Sequence, residues 1–262
     1  GLVEALGSVI RKSKMWNSRT MTIAVSPSLF ILGIMLSLAR LSEQRTTEKS
    51  LKTGVTNESH LIELGLVLDN DLYQQFDQDD DQAKQYSLSL VKEANTLLRP
   101  INVSVHLVDV IMWKDHNEIP IINDTVATLT TFQTFVRNID VTKANLDAVI
   151  LLSGFRDLHM PSAAYLRSIC KQPPSAAVVR IDTVQSSQNA AAVVHEIGHL
   201  LGAGHDHECR YCVMNPFSDD WIDEGWSRES MRELVEWKEA GLWQCLGNKP
   251  SKVYGEIDGT SV

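Results

Sequence analysis

One run in the C-terminal half of the chain concentrates side chains able to do chemistry: His195-Glu196-Ile197-Gly198-His199-Leu200-Leu201-Gly202-Ala203-Gly204-His205-Asp206. Residues four apart on an α-helix share a face, about 6 Å apart along the axis, so His195 and His199 can present two imidazoles to one metal ion. Glu196 follows the first of them, and its carboxylate can reach a metal-bound water without ligating the metal, the position of a general base. Gly202 lies three residues past His199, where a helix needs a left-handed exit that glycine takes without steric cost. Beyond that exit His205 can supply a third nitrogen and leave the fourth tetrahedral position to water, as a catalytic rather than a structural zinc site requires. Imidazole donors with an open position favour zinc over calcium or magnesium. Five fixed residue types at about one in twenty each occur by chance roughly once in three million starts. His207 has no supporting spacing and reads as a surface residue.

Such a run needs a scaffold that buries it. Gln188 to Leu201 is apolar nearly all round, the pattern of a helix enclosed by the core. Upstream, Ile62–Leu68, Val103–Val108 and Ala148–Leu152 read as strands, with a helix over Ala83–Leu98 ended by Pro100 and another over about Leu129–Asn138. The acidic stretch Asp77–Asp81 is placed to cap the first of these helices rather than to hold a metal. Ala163–Leu166 and Ala176–Ile181 are two further strands separated by Pro173-Pro174, and Met231, Leu234 and Val235 mark a last helix with Ser230 and Glu233 at capping-box spacing. Alternation of strand and helix predicts an α/β layering.

At 262 residues the chain is long enough for one sizeable domain with its own core. A net charge of −9 and the absence of a Lys/Arg-rich stripe argue against a nucleic-acid or anionic-membrane surface as the primary partner. Arg11, Lys12, Lys14 and Arg19 precede an apolar stretch, Met21–Ala39, with small residues at Ser37 and Ala39, so this segment reads as a secretory leader; the other reading is a core element of an N-terminal subdomain. Residues 1–59 are therefore a leader-like segment followed by a linker, or a pro-region remnant, and 249–262 a disordered tail. Sequons at Asn57, Asn102 and Asn123 agree with secretion and glycosylation. Cys170, Cys209, Cys212 and Cys245 suit two disulfides or free thiols, and Cys209-x-x-Cys212 is also compatible with redox chemistry or a second zinc site, although no partner C-x-x-C exists.

The pattern H-E-x-x-H-x-x-G-x-x-H, followed by Cys212-Val213-Met214-Asn215-Pro216 at the place of a Met-turn, resembles the metzincin zinc proteases. Asp206 directly after the third histidine is similar to the reprolysin branch, the adamalysins of venoms and the ADAM proteases. The likeness extends through Ile62-Glu63-Leu64, Leu98-Arg99-Pro100, Trp113, Ala164-Tyr165 and Cys170, covering residues 60–248. It implies a five-stranded mixed, twisted sheet with an antiparallel edge strand, a long active-site helix, a Met-turn and a C-terminal helix. Substrate would lie extended along Ser162–Ser168, Met214 would form an apolar floor beneath the zinc ligands, and Asn215–Ser218 would shape the pocket beside the scissile bond. The resemblance also implies a structural calcium on Glu63, Asp147, the Cys245 carbonyl and Asn248, and disulfides Cys170–Cys245 and Cys209–Cys212. The loop between His205 and Met214 is shorter and poorer in cysteine than the family's, no cysteine precedes Cys170 to act as a latency switch, and the form resembled is the catalytic domain alone.

The function expected is that of a secreted, extracellular zinc metalloendopeptidase, monomeric and without stable membrane association in its mature form, cleaving internal bonds of proteins or peptides, with Glu196 as general base on a zinc-bound water. The competing expectation is a metzincin-fold binding module without catalysis, for which a lost zinc ligand or glutamate would be the usual sign.

Overall fold

The computed structural model describes residues 59–138, 146–171, 174–184, 188–216, 225–247 and 254. Every described residue belongs to one compact unit within residues 55–262. The apolar segment Met21–Ala39, the linker up to Glu58 with its sequon at Asn57, Asn248 and the tail apart from Tyr254 lie outside the described residues.

The elements run β1 (His60–Leu68), α1 (Asn70–Gln74), α2 (Asp80–Leu98), a 3-10 turn (Arg99–Ile101), β2 (Val103–Met112), α3 (Thr125–Asn138), β3 (Ala148–Ser153), β4 (Ser162–Ala164), β5 (Ser175–Arg180), α4 (Gln188–Leu201) and α5 (Arg228–Glu239). The five strands form one sheet in the order β2-β1-β3-β5-β4. All neighbours are parallel except β4, which runs antiparallel to β5 at the edge. The mixed α/β sheet expected from the sequence is therefore the one observed.

Side chains alternate between two apolar layers. Ile62, Leu64, Leu66, Leu68, Ile150 and Leu152 face the layer that contains the apolar sides of α2 and α4. Val67, Val149, Leu151, Ala176 and Val178 face the opposite layer, closed by Leu129, Phe132 and Val136 of α3. Burial on both faces explains why these strands read as unbroken apolar runs rather than as alternating ones. Among the described residues no helix is long and apolar enough to cross a membrane.

The helix boundaries follow local chemistry. Asp79 caps α2 by accepting from the backbone N–H groups of Asp81 and Gln82, as the acidic stretch suggested. Helix α3 begins at Thr125, a turn before the expected Leu129, because the Asp124 carboxylate accepts the N–H of Ala127 at 3.0 Å. Ser227, not Ser230, caps α5. Ser230 is instead the buried residue whose N–H is capped, which frees Glu233 for a contact elsewhere. The edge strand is also shorter than the expected Ser162–Ser168 stretch. It stops at Ala164 because Arg167 turns with φ 59° and donates its N–H to the carbonyl of His199, with Ile169 donating likewise to Leu200. The chain leaves the sheet there to brace α4.

Both disulfides join the pairs implied by the resemblance, Cys170 to Cys245 and Cys209 to Cys212, and no described cysteine is free. The first fastens the segment after α5 to the turn following β4. Leu61 N–H to Leu246 O and Trp243 Nε1–H to Leu201 O anchor that C-terminal segment to β1 and to the end of α4.

Candidate metal centre

Helix α4 is a sleeve of alanines, valines and leucines that holds His195 and Glu196 inside the protein. Its packing is close at Gly198, where an added Cβ would run into the sulfur of Met214 and come within 3.2 Å of Trp226. Small size, rather than unusual backbone geometry, is what this position needs. Gly202 differs: at φ 124° it occupies a conformation that L-residues rarely adopt, and a Cβ would stand 2.6 Å from the ring of Trp237 on α5. Gly202 N–H and Ala203 N–H both return to the carbonyl of Gly198, which closes the helix and reverses the chain.

The reversal brings three imidazoles together. Ring centroids of His195 and His199 are 4.7 Å apart, those of His199 and His205 4.7 Å, and those of His195 and His205 5.3 Å. One ligand nitrogen from each lies within 4.8 Å of the others, and Nε2 of His199 is 3.1 Å from Nε2 of His205. Nδ1 of His195 faces the Val213 carbonyl at 2.7 Å and Nδ1 of His199 faces the Ala203 carbonyl at 2.9 Å. A carbonyl can only accept, so each Nδ1 carries the proton and each Nε2 keeps its lone pair. Burial pushes His195 down to about 3, helped by the neighbouring His199, and burial also lowers His199 and His205. Three neutral donors aimed at one another are unfavourable unless a cation lies between them, and an all-nitrogen set suits zinc. Among the described residues no fourth His, Cys, Asp or Glu joins the group.

Glu196 is 1 % exposed, and its Oε1 lies 4.0 Å from Nε2 of His195. Burial raises its carboxyl to about 8, opposed by a hydrogen bond from the hydroxyl of Ser162 on β4, while Oε2 has no partner among the described residues. The acid therefore stands between the three nitrogens and the edge strand. His207 is exposed and 6.3 Å ring to ring from His205, outside the group.

Met214 is fully buried beneath Gly198, and its turn does more than fill space. The Val213 carbonyl orients His195, and the Met214 carbonyl accepts from Asp206 N–H at 2.8 Å. Asp206 in turn accepts from the N–H groups of Glu208 and Cys209, so the shortened, disulfide-closed loop is hydrogen-bonded to its own start. Three contributors escaped the sequence reading. Glu233 accepts Gly204 N–H at 2.7 Å, Arg167 stacks 4.0 Å over the ring of Trp237, and Ser162 reaches Glu196. Each acts across a long sequence separation, with no local spacing to mark it.

The structure also sets Glu63 beside Asp147. The N–H of Glu63 donates to the Asp147 carboxylate and Asp147 N–H to the Glu63 carbonyl, both at 2.9 Å. Burial raises the Asp147 carboxyl to about 6, with the adjoining Glu63 charge acting in the same direction. Of the sequons, Asn123 is exposed, and Asn102 is half-buried in a left-handed turn at φ 56°. Asn215 is buried and donates to the Cys209 carbonyl; Phe217 and Ser218 lie outside the described residues.

The mixed sheet, the buried helix with two histidines on one face, the third histidine past a glycine reversal and the methionine turn beneath them together define a metzincin fold. The chain belongs to the reprolysin (M12B) family of zinc metalloproteases, whose model matches residues 60–250. It is 26 % identical over 211 residues to the disintegrin and metalloproteinase domain-containing protein adm-2 of Caenorhabditis elegans, covering 77 % of this chain and 22 % of that protein. It is 30 % identical over 195 residues to the zinc metalloproteinase-disintegrin-like atragin of Naja atra, covering 72 % of this chain and 32 % of atragin. The snake venom metalloproteinase trimerelysin-2 of Protobothrops flavoviridis is 25 % identical over 194 residues, which cover 72 % of this chain and 96 % of that protein. The chain thus spans between a fifth and a third of the length of the first two relatives.

Gly202→Ala should move His205 and weaken the centre. The expected outcome is a loss of about 1–3 kcal/mol in chemical denaturation, from the positive φ alone, together with reduced zinc content after dialysis. Unchanged zinc retention would contradict the role given to this turn.

Proposed function

We propose that this protein is a zinc-dependent endopeptidase that hydrolyses internal peptide bonds, with Glu196 as general base. The observation that carries the reading is the convergence of three neutral imidazole nitrogens beside a buried carboxyl, at the edge of an open sheet. His195, His199 and His205 would hold the zinc. When bound, zinc supplies Lewis acidity toward the scissile carbonyl and acidifies the attacking water. The chain's own groups do the rest. Glu196 takes the proton from the attacking water and returns it to the leaving amine, and enclosure by α4 and β4 keeps bulk water from competing for that proton. The Ser162 hydroxyl holds the carboxyl on the side of the edge strand. Among the described residues strand β4 pairs on one side, with β5, so its outer backbone edge can take an extended peptide by strand addition. Met214 packs and does not ligate. Asn215 and the residues following it, up to Ser218, shape the pocket beside the scissile bond.

The two disulfides and the leader-like segment support a secreted, extracellular protein, which in this reading is a monomer glycosylated at one or more of Asn57, Asn102 and Asn123. The net charge of −9 argues against nucleic acid as a partner. Glu63, Asp147, the Cys245 carbonyl and Asn248 form a structural calcium site in this reading, supported by two acids held side by side and a raised Asp147.

In a protein-cleavage assay with and without chelator, Glu196→Ala should retain zinc yet lose about 10²- to 10⁴-fold in activity. Full activity in the zinc-loaded variant would remove the mechanism, and an inactive wild type that still binds zinc would favour a binding module. For the second site, millimolar calcium should raise the melting temperature of the wild type by about 2–4 °C and leave Asp147→Asn unmoved. No shift in the wild type would rule the calcium out.

A further inference from the structure

Where the chain leaves β4, a cavity of about 400 Å³ opens between α3 and the turn that follows the strand. Among the described residues its charged lining residues are Arg137 and Lys171, and no described carboxylate lines it. Both cations are exposed, and neither forms an ion pair among the described residues. Ser175, at the start of β5, also lines the cavity; it is only 2 % exposed, and its hydroxyl has no hydrogen-bond partner among the described residues. A buried unpaired hydroxyl carries a desolvation penalty that a ligand acceptor would relieve. The remaining walls include Tyr165 and Leu166, the residues directly after the edge strand, and Leu166 is a large apolar side chain left 46 % exposed. The cavity is thus cationic among its described lining residues, able to donate hydrogen bonds, partly apolar, and walled by the two residues that directly follow β4.

We propose that this cavity is a subsite for an acidic side chain, aspartate or glutamate, of the peptide lying along β4, three to four residues from the bond that is cleaved. The spacing follows from the strand. Ser162 contacts Glu196, so the reacting bond sits near Ser162, and Tyr165 and Leu166 lie three and four residues further on. A peptide paired with Ser162–Ala164 advances at about 3.3 Å per residue, and one or two further residues in the same direction bring it to the wall formed by Tyr165 and Leu166. Arg137 and Lys171 then pair with the carboxylate, Ser175 donates to it, and Leu166 covers its methylene stem. The subsite rests on the endopeptidase reading, whereas Arg137 and Lys171 stand outside the metal centre.

The test compares kcat/KM of the zinc-loaded protein for matched peptides carrying Glu, Ala or Lys at the third or fourth residue from the cut, on each side of it. The expected result is a preference of about tenfold for Glu over Ala on one side only. Arg137→Ala/Lys171→Ala should abolish that preference while leaving kcat/KM for the Ala peptide unchanged. Arg137→Glu/Lys171→Glu should reverse it toward Lys, which a merely structural role would not do. Cleavage without an acidic preference, or a preference that survives the double substitution, overturns the subsite and leaves the protease reading intact. No cleavage of any peptide overturns both. If the acidic preference is absent and a sulfated oligosaccharide binds in a manner abolished by the same substitutions, the cavity serves a polysaccharide and the proposal falls.

Discussion

The centre depends on one reversal of the chain. An α-helix sets His195 and His199 on a common face with no help from tertiary structure, but the third imidazole arrives only because the helix stops at Gly202 and turns back. Trp237 fills the space where a side chain would be, so α5 is packed against the turn itself. Arg167 stacks on that indole, Glu233 on the same helix holds Gly204, and the Cys170–Cys245 disulfide fastens the segment beyond it. The elements after the metal run thus serve chiefly to keep its exit angle fixed.

Charge neutrality is the second theme. Enclosure by apolar residues keeps the histidines unprotonated at ordinary pH, so their lone pairs are available; the same enclosure raises the Glu196 carboxyl, and a dication held by the three imidazoles would oppose that rise and favour the carboxylate a general base needs. Backbone carbonyls of Val213 and Ala203 fix the tautomers without adding charge. A polar centre is tolerated inside this core because each buried imidazole has one nitrogen satisfied by the chain and the other reserved for a metal.

The sequence exposed what is local. The His195 to His205 spacing, the apolar sleeve of Gln188–Leu201, the cap ahead of α2 and the strand runs through β1, β3 and β5 are short-range patterns, and the structure contains them. The disulfide pairing came from resemblance, since counting cysteines left several connectivities open. What stayed hidden is set by packing at a distance. Ser230 and Glu233 have the spacing of a capping box, yet Ser227 caps the helix and Glu233 serves a loop 29 residues upstream. The edge strand ends early because backbone donors after Ala164 find carbonyls on α4, a competition that the local run Ala163 to Leu166 could not reveal.

The central claim is that His195, His199 and His205 share one ion. Zinc K-edge X-ray absorption of the zinc-loaded protein addresses it directly, with His205→Ala measured alongside. The account predicts three imidazole nitrogens at about 2.0–2.1 Å with one further light ligand in the wild type, and two imidazoles in the variant. Sulfur scattering, or an imidazole count that does not fall in His205→Ala, would contradict it.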